Sequence, residues 1–415
     1  MEASRTLSGG RYNESLDTVD FELKKSATDK KGVSVSRSPG KNTPCLAESR
    51  SALSLPSGGQ TINFRSIDAL DTGTTAQIFR VKKTARDEHT IVLKLGDPKC
   101  SLNTDNLVWV ESKIEDKLCP CKNTTIHDEA FIHQQLKHEN IIQFLGFGHV
   151  DTKDKKNIDK KTPAILMEMA DVSLFNKLVT FVFYKQPEFD PRSSLFLFAD
   201  RLTILTDVAK GLQYMHHHSF MHIDLHPKNI LISTKGRAKL CDFGISEQDK
   251  GTGHQGFEWA AGMAYMGPEL FFAPQLVSPK IDVFSMGVAI NMCIAGTARS
   301  YSWWTDMNLL KSEKMYDPLY LPAPSKLAKI FNTFDALAAE EIVALSNDPE
   351  YTGSFSKRQI AVCILDNIAK PCLQLSPHQR PDIGWVLSLL EEKKVQLAAH
   401  YSGSKPFMRP TPRTN

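Results

Sequence analysis

The chain has 415 residues, of which 41% are hydrophobic and 23% charged, a balance that excludes collagenous, coiled-coil and wholly disordered classes. That length allows two or three domains, or one bilobal enzyme with a tail. Lys plus Arg total 50 and Asp plus Glu 47, and the formal charge of +3 gives no global attraction to nucleic acid or anionic lipid.

Residues 1–60 hold eleven serines, the pairs Lys24-Lys25 and Lys30-Lys31, and few large apolar side chains. Such a segment cannot bury enough surface to offset its ordering entropy, so a disordered tail is expected, with Ser38-Pro39 and Thr43-Pro44 as phosphorylation candidates. From about Thr61 the pattern changes. Ala76–Lys83 and His89–Gly96 are β-branched, apolar runs split by the charged turn Thr84–Asp87, which predicts an antiparallel hairpin. Residues 97–124 read as an inserted loop. Asp128–Lys137 has helical composition, and Ile141–Gly146 and Ala164–Met169 read as short strands around a charged surface turn, Asp151–Lys161.

Beyond Asp171 the chain reads as mainly helical. Leu202, Leu205, Val208, Leu212 and Met215 recur at three- and four-residue steps and give one apolar helix face. Two short strands follow, Asn229–Ser233 and Ala238–Asp242, joined at Lys235-Gly236. Val283–Ile294 and Trp385–Leu397 read as further helices, and 398–415 as a flexible tail. The layout predicts an α+β fold of two lobes: a small antiparallel β lobe with one helix at about 61–169, and a larger, mainly helical lobe at about 170–397. A cleft between two such lobes is a natural ligand site.

The sharpest chemical signal is His222-Ile223-Asp224-Leu225-His226-Pro227-Lys228-Asn229, followed by Cys241-Asp242-Phe243-Gly244. Asp224, Asn229 and Asp242 sit at fixed spacing on loops that flank the short hairpin. Phosphoryl transfer needs hard oxygen ligands for Mg²⁺ and a carboxylate to orient the attacking hydroxyl, and these side chains supply both.

From Thr61 to Leu397 the chain resembles the eukaryotic protein kinase family, whose signatures are H-R-D-x-x-x-x-N and D-F-G. The resemblance implies Asp224 as catalytic base, Asn229 and Asp242 as Mg²⁺ ligands, and Lys94, in Ile91-Val92-Leu93-Lys94, as the catalytic lysine on the α/β-phosphates of ATP. It also implies that Glu129, nine residues before His138, pairs with Lys94. Asp71–Ile78 stands at the phosphate loop with Gly73 as the one matching glycine, and by itself reads equally as a plain β-turn. Met167 would guard the adenine pocket, the Glu168–Met169 backbone would meet the adenine edge, and Ile78, Val92 and Leu231 would sandwich the ring. Tyr265–Glu269, Asp282–Val288 and Ser376–Pro381 resemble scaffold motifs, implying a buried Glu269–Arg380 pair and an Asp282 hydrogen bond to the catalytic loop.

Some positions depart from the family. Ile223 replaces the Arg that clamps a phosphorylated activation loop, so phosphorylation of Ser246 or Thr252 would do little. His226 stands where serine/threonine kinases place a Lys, and Lys228 would supply the missing charge. Gly262 replaces a usual Thr, Tyr265 favours Ser/Thr over Tyr acceptors, and His133 replaces an apolar spine residue. The function implied is an ATP- and Mg-dependent protein kinase acting on a protein hydroxyl. The alternatives are a pseudokinase or scaffold module of the same fold, and a small-molecule phosphotransferase, whose H-G-D-L-H-P-x-N loop the sequence also resembles.

Other classes find little support. The longest charge-free apolar stretch, Val283 to Ala298, is shorter than the roughly 18–20 residues of a bilayer span, so no transmembrane segment is expected. The N-terminus has no secretory h-region. The eight scattered cysteines fit reduced thiols in the cytoplasm, or the nucleus, rather than a disulfide framework. Cys119-Pro120-Cys121 lacks zinc-site spacing, and basic residues are not interleaved with aromatics as in a nucleic-acid binder.

Overall fold

The computed structural model describes residues 61–72, 76–82, 91–97, 99, 101–102, 107–114, 126–154, 156–178, 197–253, 265–295 and 355–403. The serine-rich segment 1–60, Gly73, the turn Thr84–Asp87, Cys119, Cys121, Gly262 and the tail from 404 lie outside the described residues.

Strands β1 (Thr61–Thr72), β2 (Gln77–Lys82) and β3 (Ile91–Leu95) pair antiparallel in succession, so the predicted hairpin is present. Strand periodicity divides β3 between two environments. Ile91, Leu93 and Leu95 enter one cluster with Ile62, Phe64, Phe79, Val81 and Trp109. Val92 enters another with Ala130, Ile165 and Met167. Lys94, two residues along from Val92, therefore lies on the second face.

The stretch 97–124 is not simply an inserted loop. It carries β4 (Ser101–Leu102) and β5 (Leu107–Glu111), and β5 pairs with β1 and with β6 (Phe144–Lys153). β6 also pairs with β7 (Asp159–Glu168), which pairs with β3. The ladder thus runs β1–β2–β3–β7–β6–β5 and back to β1, and the sheet curls around its own apolar cluster. Trp109, 1% exposed, anchors β5 in that cluster. Gly148 on β6 permits the close pairing, because a Cβ there would stand 2.2 Å from the Val110 carbonyl oxygen and 2.6 Å from the Trp109 ring.

The charged segment Asp151–Lys161 is mostly strand rather than surface turn. The β6–β7 ladder continues through Lys153 and Asp159 and leaves only 154–158 as the turn. Asp151, Lys153, Lys160 and Lys161 are exposed, while Thr152 and Thr162 are buried and share an Oγ1···Oγ1 hydrogen bond of 2.7 Å. Helix α1 (Ile126–His133) begins and ends earlier than the predicted 128–137 and lies against β7.

The remaining chain is mainly helical, as expected of an α+β bilobal fold. Helices α2 (Phe198–His217), α3 (Lys280–Ala295), α4 (Phe355–Ile364) and α5 (Ile383–Gly403) pack around a large apolar core that includes Leu202, Leu205, Val208, Leu212 and Met215. α5 runs on to Gly403, past the predicted end at Leu397. Short strands decorate this lobe: β8 (Val172–Ser173), β9 (Phe220–Met221), β10 (Ile230–Ile232), β11 (Ala238–Leu240) and β12 (Glu247–Gln248). β10 and β11 form the predicted hairpin, and β9 pairs with β12. No described helix is long and apolar enough to cross a membrane.

Candidate active site

β3, α1 and the turn after β11 bring three charges together from distant parts of the chain. Lys94 Nζ donates to Glu129 Oε1 at 2.7 Å and to Asp242 Oδ1 at 2.8 Å. Lys94 and Glu129 are buried, whereas the Asp242 side chain is 41% exposed. Burial alone would lower the Lys94 pKa, but the two carboxylates reverse this and raise it, so the ammonium is held charged. Burial likewise pushes Asp242 up, and Lys94 outweighs it, keeping that carboxyl below its usual range. Burial raises Glu129 in spite of Lys94, which makes it the carboxylate of the pair that takes a proton more readily.

The loop between β9 and β10 carries the second set. Asn229 Nδ2 donates to the Asp224 carbonyl at 2.9 Å and to Asp224 Oδ2 at 3.1 Å. Asp224 Oδ1 is buried with no hydrogen-bond partner among the described residues. This loop is held in an uncommon backbone shape. Ile223 has φ 67°, and a β-branched residue in the left-handed region is strained; Asp242, on the turn after β11, has φ 64°. Asp282, at the start of α3, holds the strained stretch by accepting the His222 N–H at 2.9 Å and the Ile223 N–H at 2.8 Å. His216, at the end of α2, bonds the same carboxylate through Nε2 at 2.8 Å. Burial works to raise the Asp282 pKa, and these partners overcome it and hold the carboxyl low. Ser246 adds an anchor: it is buried, and its hydroxyl donates to the His222 carbonyl at 3.0 Å.

An apolar shelf adjoins β3 through Val92. Ile78, Val92, Met167, Met169 and Leu231 belong to one cluster with Ala130, Ile142, Phe147, Ile165 and Cys241. Glu168, at the end of β7, turns its carboxylate away to Lys239 Nζ at 2.7 Å and the Gln143 N–H at 2.7 Å. Its backbone N–H donates to the Gln143 carbonyl at 3.0 Å, so the carbonyl is the polar group that Glu168 has left for a ligand. The implied Glu269–Arg380 pair is present and bidentate, at 2.6 Å and 2.7 Å. The guanidinium also donates to the carbonyls of Gln374, Leu375 and Lys280.

The structure thus gathers Lys94, Glu129, Asp224, Asn229 and Asp242, and lines up Ile78, Val92, Met167, Glu168, Met169 and Leu231. Gly73 lies outside the described residues. His133 is a core histidine: Nε2 bonds the Ile142 carbonyl at 2.7 Å and the ring packs on Phe243 and Phe144. Burial lowers its pKa to about 4, so the ring is neutral. Lys228 holds its ammonium over the Phe175 ring, 5.4 Å from the centroid. Ser246, whose phosphorylation was expected to do little, is 3% exposed and engaged in the loop.

Sequence reading missed His216. Its bond to Asp282 spans 66 positions, and its place six residues before His222 was the available signal.

Comparison with known proteins agrees with this geometry. The family model described as "Protein kinase domain" matches residues 70–388. The serine/threonine-protein kinase-like protein CCR4 of Arabidopsis thaliana is 30% identical over 181 residues, covering 41% of this chain and 22% of that protein. Chitin elicitor receptor kinase 1 of Physcomitrium patens is 30% identical over 192 residues, covering 44% and 27%. Cysteine-rich receptor-like protein kinase 11 of Arabidopsis thaliana is 24% identical over 279 residues, covering 65% and 36%. The chain therefore spans well under two thirds of these relatives' own length. A match over most of the chain establishes that the chain belongs to the protein kinase family.

Proposed function

We propose that this chain transfers the γ-phosphoryl group of ATP to a protein hydroxyl, with Ser or Thr as acceptor rather than Tyr. The observation that carries this reading is Lys94 Nζ held between Glu129 Oε1 and Asp242 Oδ1 at 2.7 Å and 2.8 Å. A buried lysine fixed by two carboxylates is arranged to meet phosphate oxygens, and its charge is secured. The donor set fits Mg²⁺. Asp242 offers an exposed carboxylate, and Asn229 turns its amide nitrogen to Asp224, which leaves the amide oxygen for a cation. Bound there, the ion would neutralise charge on the phosphates.

The chain's own residues supply the rest. The shelf of Ile78, Val92, Met167, Met169 and Leu231 would offer apolar contact to a flat ring, and the Glu168 carbonyl with the Met169 backbone would offer its polar edge. Asp224 Oδ1 has no hydrogen-bond partner among the described residues and would accept a hydrogen bond from the acceptor hydroxyl. In the transfer the hydroxyl oxygen bonds the γ-phosphorus, and the bond from that phosphorus to the β-bridging oxygen breaks. ADP leaves with that electron pair, and the hydroxyl proton passes to Asp224. Tyr265 on the activation-segment side supports a Ser/Thr acceptor, as do the names of the relatives. Four free cysteines among the described residues suit a reducing compartment such as the cytoplasm.

A pseudokinase reading is favoured by the single glycine in Asp71–Ile78 together with Ile223, Gly262 and His133 at positions that depart from the family. Mg-dependent ATP turnover by the wild type and by Asp242→Asn separates the two. The kinase reading expects turnover in the first and its near loss in the second, and a wild type that binds but never consumes ATP contradicts it.

A further inference from the structure

The chain does not run directly from β3, which holds Lys94, to α1, which holds Glu129. It first lays down β5, which pairs with β1 on one side and β6 on the other. The pairing with β6 continues one bond past the strand, from the Ser112 N–H to the Phe147 carbonyl at 3.0 Å. The Ser112 hydroxyl shares a 2.8 Å hydrogen bond with His149 Nδ1. Trp109 and Val150 face each other across β5 and β6 and enter the inner cluster. Phe147 and His149, two apart on β6, therefore share the opposite face. That face meets the first turn of α1. The His127 ring packs on Phe147, with centroids 4.7 Å apart, and stands 6.4 Å from the His149 ring. Ile114, just past β5, and Ile126, the first residue of α1, border the cluster that holds Phe147 and Ala130. A Cβ on Gly96 would stand 2.7 Å from Ile126 Cγ2, so α1 starts hard against the end of β3.

We propose that β5 is a built-in brace for α1, and that Ser112 and His127 are positioning residues for the Lys94–Glu129 pair. Their value to turnover rests on the kinase reading, in which that pair aims the lysine at phosphate. An eight-residue helix has little stability of its own, so its contacts decide where it sits. The last turn of α1 is fixed separately, by His133 Nε2 on the Ile142 carbonyl at 2.7 Å. The first turn is fixed by its seat on β6. Ser112 holds that seat from the β5 side through the Phe147 carbonyl and the His149 ring, and His127 rests on it from the α1 side. The seat is firm because β5 is paired along both edges and Trp109 is buried beneath it. Glu129 lies two residues beyond His127 and reaches Lys94 Nζ at 2.7 Å. Without the seat the first turn swings about the His133 anchor, and Lys94 keeps Asp242 as its partner while Glu129 draws away.

The test is a double-mutant cycle in the full chain, Ser112→Ala against His127→Ala, with His127→Phe as the conservative control. The brace predicts that His127→Ala lowers kcat at saturating Mg·ATP by roughly 10–30-fold and Ser112→Ala by about 3–5-fold. Both act through one seat, so the double variant should lose about as much as His127→Ala alone. His127→Phe keeps a ring on Phe147 and should stay within about 3-fold of wild type. Losses that multiply in the double variant, or a Phe variant as impaired as Ala, overturn the assignment. A second readout needs no turnover. Both Ala variants should speed amide hydrogen exchange in α1 on the order of 10-fold, while β2 and β3 keep wild-type rates. Unchanged exchange in α1 overturns the brace, and so does exchange raised equally across the sheet, which would make these residues general stabilisers. A wild type that transfers no phosphate brings down the kinase reading, and the exchange result then decides the brace by itself.

Discussion

Replacing Asp282 by Asn removes one acceptor oxygen from a carboxylate that serves three donors. Oδ1 takes the Ile223 N–H, and Oδ2 takes the His222 N–H together with His216 Nε2. With Asn, only one backbone N–H can face an oxygen. His216 can answer the new amide by changing tautomer, but a backbone N–H cannot. One buried N–H is left unpaired, at a cost of about 1–3 kcal/mol. The surviving bond loses its charge assistance, which halves its strength and adds about 1 kcal/mol. Relaxation of the strained Ile223 backbone, φ 67°, returns at most about 1–2 kcal/mol. The net expectation is a loss of about 2 kcal/mol in urea unfolding at pH 7. The same relaxation moves Asp224, so the transfer rate should fall on the order of 100-fold. The pH dependence gives a further check. Asp282 has a lowered pKa, so its contribution is complete above the unfolded carboxylate value and is lost as pH falls through the folded one. The gap between wild type and variant should be constant from about pH 5 to 7 and shrink below about pH 4. A variant within about 0.5 kcal/mol of wild type, with unchanged transfer, would refute the reasoning that this carboxylate holds the loop.

Three other outcomes follow from the geometry. Lys94→Met leaves Glu129 and Asp242 without their shared cation and should lower turnover on the order of 10²–10³-fold, measured with saturating Mg·ATP. Arg380→Met buries the Glu269 carboxylate unpaired and should cost about 3–5 kcal/mol in urea unfolding, much of it recovered when Glu269→Leu is added. His133 is neutral in the fold because burial lowers its pKa from 6.5 to about 4. Unfolded chains take that proton first, so its contribution is present above about pH 6.5 and is lost as pH falls toward about 4, on the order of 3 kcal/mol in all. A His133→Leu variant should show a correspondingly shallower loss of stability over that window.

The residues brought together at the candidate site were legible because their signatures are local. Asp224, Asn229 and Asp242 flank one short hairpin, and a five-residue strand holds Lys94 among apolar neighbours. The β2–β3 hairpin and the period of α2 were legible for the same reason. The curl of the sheet was not. Leu107–Glu111 is an apolar, β-branched run with a tryptophan at its centre, but its pairing with β1 and β6 is set by contacts far along the chain. Nor was the length of β6 and β7, because both strands turn charged side chains to solvent and bury Thr152 and Thr162 on the other face. Charge density there reads as a turn until the alternation is counted. The bonds of His216 and Ser246 depend on where the loops cross, and single-residue spacing carries no such information.

The most direct measurement is transfer of labelled γ-phosphate from Mg·ATP by the purified full chain, alone and with a panel of Ser, Thr and Tyr peptides, beside Asp224→Ala. The account predicts label on Ser or Thr hydroxyls in the wild type and almost none in the variant. Equal labelling by both chains would contradict the role of Asp224, and no labelling by either would contradict the enzyme.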